Sequence, residues 1–158
     1  MLISRSDMYV IALLVASLFV STHHAYALEP VNDYAIVIDA GSTGSRCFVF
    51  HVIIDAHSHR NISSHPCGKV IPGLSSFATH PRDASAYIMP LLNIAATRIP
   101  ASHHRSTEVH IKATAGMRLL PDIVQAILFN TLVDDLNRRS DMPFEVTRNS
   151  VGKLPHNM

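Results

Sequence analysis

Asp39-Ala40-Gly41-Ser42-Thr43-Gly44-Ser45-Arg46 follows the apolar run Tyr34-Ala35-Ile36-Val37-Ile38 and precedes Cys47-Phe48-Val49-Phe50-His51-Val52-Ile53-Ile54. Two β-rich runs joined by a short glycine-rich turn read as a hairpin, with strands over 34–39 and 46–54 and glycines supplying positive φ. Successive backbone N–H groups in such a turn, with the Ser42 and Thr43 hydroxyls, form a concavity for a phosphate. Asp39, ending the first strand, sits at its rim. A carboxylate beside bound phosphates ordinarily holds a divalent cation, directly or through water, because the two anions otherwise repel. A plain tight turn with a capping Asp fits the same residues.

A second stretch, Lys112-Ala113-Thr114-Ala115-Gly116-Met117-Arg118, follows the strand-like Glu108-Val109-His110-Ile111 and precedes a helix. Small residues and a hydroxyl at a strand-to-helix turn let the backbone approach another phosphate closely. Alone, this loop also fits a turn whose glycine serves close packing. Together the two loops suggest a polyphosphate clamped between them.

The remaining pattern predicts an α/β layered domain with a mixed sheet. A third strand is expected near 68–71. Ala84, Tyr87, Ile88, Leu91, Leu92, Ala95, Ala96 and Ile99 recur at the spacing of an amphipathic helix over 82–98, with a kink at Pro90. A strand over 107–113 follows, then a helix over 122–139 whose buried stripe is Ile123, Ile127, Leu128, Leu132 and Leu136. Asp122 at its start and Arg138-Arg139 at its end suit the helix dipole. Met142-Pro143-Phe144-Glu145-Val146 reads as one further strand.

Asp39–Arg46 and Ala113–Arg118 together resemble the apyrase family, the nucleoside triphosphate diphosphohydrolases. Pro72-Gly73-Leu74-Ser75-Ser76-Phe77 between them and Pro90-Leu91-Leu92 extend the resemblance over about 34–146. It implies the front part of the first ribonuclease-H/actin-like lobe, and metal-dependent hydrolysis of the terminal phosphate of nucleoside tri- or diphosphates. By resemblance, Gly41, Ser42, Thr43, Gly44 and Arg46 contact one phosphate, and Thr114, Ala115 and Gly116 another. Asp39 holds Mg²⁺ or Ca²⁺ through water. Exopolyphosphatase-like phosphatases also carry an early Gly-Ser loop. They typically have Asn where this chain has Thr43 and Ser where it has Gly116, and they lack secretion signals.

The N-terminus sets the expected compartment. Arg5 gives a modest positive charge, 8–20 is almost unbroken apolar sequence, and Ala25-Tyr26-Ala27 is a small-x-small cleavage site. That layout is a secretory signal peptide over 1–27; retained, it would be a membrane anchor. Asn61-Ile62-Ser63 is an N-glycosylation acceptor in a polar, His-rich loop. Cys47 and Cys67 form an even pair, which can be a disulfide, two separate thiols, or partners of cysteines elsewhere. The net charge of +1, with no basic stripe, excludes a nucleic-acid footprint. Of the eleven histidines, His57, His59, His103 and His104 read as solvated loop residues without a Cys, Asp or Glu at ligand spacing.

Beyond Val146 the resemblance ends. The family's next loop carries a catalytic Glu, and a later Asp-x-Gly-Gly loop completes the metal and water site. Here 147–158 is a divergent tail, expected from a truncated gene model or splice form. Glu145, within the expected strand, is the nearest substitute base. The chain is thus expected to be a partial lobe over 28–146, inactive alone. A non-catalytic secreted nucleotide-binding fragment, or a piece unable to fold by itself, is the alternative.

Overall fold

The computed structural model describes residues 31–153; the signal segment lies outside the described residues. β1 (Val31–Ala40) and β2 (Ser45–Ile54) form the expected hairpin, each longer than its apolar run. β3 (Arg60–Val70), α1 (Asp83–Ala96), β4 (Glu108–Ala113), α2 (Asp122–Arg138) and β5 (Val151–Lys153) follow. The sheet order is β3-β2-β1-β4-β5. β3, β2 and β1 pair antiparallel, whereas β1, β4 and β5 run parallel. This is the expected mixed sheet of an α/β layered domain.

The core follows from strand alternation. Ile36, Ile38, Ala40, Cys47, Val49, Val109, Ile111 and Ala113 face both helices, which contribute Ile88, Leu91, Leu92, Leu128, Leu132 and Leu136. Ala35, Val37, Phe50 and Val52 form a smaller cluster from the opposite pleat. α1 buries Ala84, Ile88, Leu91, Leu92 and Ala95 of the expected stripe, with Tyr87 and Ala96 half-buried, and runs through Pro90, which is exposed.

Two expectations about these elements need correction. On α2 the buried stripe is Gln125, Leu128, Leu132, Val133 and Leu136, while Ile123 and Ile127 are 68% and 50% exposed. Each helical residue turns about 100°, so Ile127 points well away from the stripe through Leu128. The expected strand over 142–146 is a single bridge, Glu145 to Glu108. The Asn137 side chain takes its place: Oδ1 accepts the Val146 N–H at 3.1 Å and Nδ2 donates to the Val146 carbonyl at 2.7 Å. With its backbone satisfied in this way, Val146 needs no β-ladder.

The fifth strand instead comes from Val151–Lys153, beyond Val146. Arg148 reaches Asp134 at 2.7 Å and Lys153 reaches Asp122 at 2.9 Å, both onto α2. Asn61-Ile62-Ser63 lies in edge strand β3 rather than in a loop. Asn61 and Ser63 face solvent and Ile62 packs inward, so the acceptor asparagine is accessible. Cys47 and Cys67 are joined by a disulfide across β2 and β3.

His110 on β4 is buried, with Nε2 2.9 Å from Glu108 Oε2. Burial, only partly opposed by Glu108, holds its pKa below the ordinary 6.5. A histidine whose folded pKa is depressed gives stability that is complete above its unfolded pKa and lost as pH falls. The chain should therefore lose stability as pH drops from 6.5 toward the lower folded value. Urea midpoints of wild type and His110→Leu, compared at about pH 7.5 and about pH 5.5, check this. The variant should show the smaller fall.

Candidate functional site

β1, β3 and β4 all end at one edge of the sheet, so the loops that follow them are neighbours. β1 and β4 are parallel, and the chain leaves them in opposite directions along the sheet. In open α/β sheets ligands bind outside the carboxyl ends of strands at such a switch point.

The loops over 41–44 and 114–116 touch. Gly41 N–H donates to the Gly44 carbonyl at 2.9 Å and closes the first turn. Thr114 N–H donates to the Ala40 carbonyl at 3.1 Å, extending the β1–β4 ladder into the second. A Cβ on Gly116 would lie 2.7 Å from Ser42 Cα. The structure thus brings together Gly41, Ser42, Gly44, Thr114 and Gly116, with Ser42 and Thr43 exposed.

The glycines act here by space, not by φ. Among the described glycines only Gly68 has positive φ, which corrects the expectation for 41 and 44. A Cβ on Gly44 would meet the Val70 carbonyl at 2.6 Å. No real Cβ contact is that short, so the β3 end can pack only against a glycine.

A third wall was missed as a site element. A Cβ on Gly73 would lie 2.4 Å from the Ser42 carbonyl oxygen and 2.6 Å from that of Gly41. Residues 71–73 therefore back the first loop. Tyr87 of α1 holds them there, its hydroxyl within hydrogen-bond reach of the Val70 carbonyl (3.2 Å), the Pro72 carbonyl and buried Ser45 Oγ (3.1 Å). Desolvation raises the Tyr87 pKa, so the phenol stays protonated and able to donate. The Pro72-Gly73 pair was the available sequence signal; Tyr87 read only as a core-facing helix residue.

Just before the loops, the register sets a row of charge across the sheet. Asp39 faces Arg46 on β2 and Lys112 on β4, and Arg46 in turn faces Lys69 on β3. Directly opposed residues share a face, so Arg46 and Lys112 flank the Asp39 carboxylate and Lys69 extends the row beyond Arg46. Burial lowers the Lys112 pKa, and its Nζ lies 3.4 Å from the Asn149 carbonyl. The metal-ligating types at and beside the loops, the Asp39 carboxylate and the hydroxyls of Ser42, Thr43 and Thr114, are all oxygen. Such a set fits a hard cation, Mg²⁺ or Ca²⁺.

Glu145 is no substitute base. It bridges Glu108 at the start of β4, whereas the loop follows Ala113 at the end. Five residues of strand separate the two by roughly 16 Å. His104 is not a solvated loop residue either. Its Nε2 lies 2.9 Å from the Ile99 carbonyl and 3.2 Å from that of Ala96, and it caps the end of α1.

A family model described as the GDA1/CD39 (nucleoside phosphatase) family matches residues 26–152. The chain belongs to this family. The mouse ectonucleoside triphosphate diphosphohydrolase 7 is 39% identical over 133 residues, 78% of this chain and 22% of that protein. The human ectonucleoside triphosphate diphosphohydrolase 4 is 39% identical over 73% of this chain and 20% of its own length. The Golgi apyrase of Saccharomyces cerevisiae is 38% identical over 75% of this chain and 22% of its own. This member of the GDA1/CD39 family thus spans about a fifth of the length of the curated relatives it matches. The matched span includes both loops and β1 to β4, and it runs six residues past Val146.

Proposed function

We propose that this chain forms the phosphate-gripping part of a secretory-pathway nucleoside tri- or diphosphate hydrolase. On this reading Gly41, Ser42, Thr43, Gly44 and Arg46 grip one phosphate and Thr114, Ala115 and Gly116 another. Asp39 holds Mg²⁺ or Ca²⁺ through water, and the cation neutralises charge on the phosphates when bound. The contact of Gly116 with the Ser42 backbone carries the proposal, because it makes the two loops one continuous cradle. The relatives named for nucleotide hydrolysis and for the Golgi support the chemistry and the compartment.

On this reading the described residues hold the phosphates and the cation but supply no group to activate water. Among the described acidic residues, Asp39 alone lies on the last two residues of a strand at the cradle or within the three loops. Phosphoanhydride hydrolysis also needs a base or orienting group for water, and loss of a general base typically costs about 10²–10⁴ in rate. The chain alone should therefore release no phosphate from ATP or ADP at an apyrase-like rate. Joining it to a family-type C-terminal portion should restore Mg²⁺- or Ca²⁺-dependent release, and Asp39→Ala should then weaken the metal dependence. Metal-dependent release by the unextended chain, abolished by Asp39→Ala, would overturn the division of labour.

One observation favours a second reading, a nucleotide-binding fragment without catalysis. Ser42 and Thr43 are open to solvent, so the described cradle is one-sided. Ligand sites usually bury most of the ligand surface, and calorimetry with ATP should give millimolar affinity or weaker. Micromolar binding by the unextended chain would overturn this weak-binding reading.

A further inference from the structure

A second cluster of metal-ligating side chains lies at the opposite end of the sheet from the cradle, in the turn between β2 and β3. Asp55, His57 and His59 each offer one ligand atom, and the three atoms lie within 4.8 Å of one another. This also corrects the expectation that these histidines lack a carboxylate at ligand spacing.

The turn is held in shape by its own backbone. Ser58 takes a left-handed φ of 63°, Ser58 N–H donates to the Asp55 carbonyl at 2.9 Å, and Asp55 N–H donates to the His59 carbonyl at 3.0 Å. Asp55 Oδ1 accepts from the backbone N–H groups of His57 and His59 at 2.8 and 2.9 Å. The other oxygen, Oδ2, pairs with His59 Nδ1 at 3.0 Å, a contact that a bound cation would replace. With metal–ligand bonds of about 2.0–2.2 Å, two ligand atoms of a tetrahedral zinc site stand roughly 3.3 Å apart. The His59–Asp55 pair is already close to one such edge. The His57 ring lies 6.0 Å from that of His59, centroid to centroid, and makes no hydrogen bond among the described residues. An exposed ring of this kind can swing to a third vertex, leaving a fourth for water.

We propose that Asp55, His57 and His59 form a surface site for a borderline transition-metal cation, Zn²⁺ above all, separate from the hard-cation site at the phosphate loops. The donor set decides the class. Two imidazole nitrogens and one carboxylate suit zinc, whereas Mg²⁺ and Ca²⁺ prefer all-oxygen shells. Three ligands within a five-residue turn close only short loops, so little chain entropy opposes binding. The bound ion ties the end of β2 to the start of β3.

The test uses the full chain freed of metal by a chelator. Titration with zinc chloride, followed by calorimetry, should show one saturable site in the micromolar range that excess Mg²⁺ does not displace. Co²⁺ in its place should give visible ligand-field absorption. The double substitution His57→Ala/His59→Ala should weaken zinc binding by at least about tenfold, and far-UV circular dichroism should show the fold unchanged, since both side chains are exposed. Asp55→Asn keeps the oxygen that caps the turn while removing the charge, and it should weaken binding in the same direction. Zinc binding that the double variant leaves intact would overturn the proposal. So would the absence of saturable binding below millimolar zinc.

Discussion

Gly73→Ala should destabilise the chain by about 1–3 kcal/mol, the usual range for forcing an extra methyl into a closed contact. The residue's backbone, φ −67° and ψ 154°, is one that alanine adopts freely, so conformational strain adds nothing. Space supplies the whole effect: the new Cβ meets two carbonyl oxygens at 2.4 and 2.6 Å. Backbone atoms cannot swing aside as a lysine tip would, so the loop over 41–44 or residues 71–73 must move by nearly an ångström. A misplacement of that size costs on the order of 10²-fold where reacting groups must be aligned. In a hydrolase completed with a family-type C-terminal portion, kcat/KM for ATP should fall by about that factor. Gly152→Ala is the control, because a Cβ at that position would have nothing within 4 Å. Urea denaturation of the two variants should separate them by more than about 1 kcal/mol. Equal midpoints would show that the third wall is loose.

Much of the fold was legible because it obeys local rules. The β1–β2 hairpin followed from two apolar runs around a glycine turn, and the α1 stripe from its period. Long-range pairing was less legible. Over 142–146 the apolar alternation promised a strand, but Asn137, on the preceding helix, satisfies Val146. Nothing in the local pattern announces that competition. The sheet's last strand came from Val151-Gly152-Lys153, too short to carry a period.

The candidate site shows the same division. Residue types and order marked both glycine-containing loops, because close backbone packing demands small residues there. Their mutual contact and the support from residues 71–73 are tertiary facts. Tyr87 illustrates the limit: its helix position placed it on the core face, but its three polar neighbours come from Ser45, Val70 and Pro72. Asp55 was passed over because a turn had to fold before its carboxylate could reach His59.

Removing the Cys47–Cys67 disulfide should cost about 3 kcal/mol, the chain-entropy value for a loop of this size. The bonded residues are 20 apart in sequence and both fully buried. Their position makes the loss local before it is global. β3 is the sheet's edge strand, pairs only with β2, and is interrupted by a register shift between Cys47 and Phe48. Gly68, beside the bridge, has φ 116° and packs against Leu91 and Ile94 of α1. Without the bridge, the edge keeps one ladder, the Tyr87–Val70 hydrogen bond and side-chain packing, but no covalent tie. Hydrogen exchange of Cys47→Ala/Cys67→Ala should show faster exchange across 60–70 first, with β1 and β4 amides protected until global unfolding. A freed edge strand offers unpaired N–H and C=O groups to other chains, so the variant should also aggregate at lower concentration than wild type. The bridge thus ties folding to an oxidising compartment. Exchange across 60–70 as slow as in the wild type, with a stability change below about 1 kcal/mol, would show that β3 holds without it.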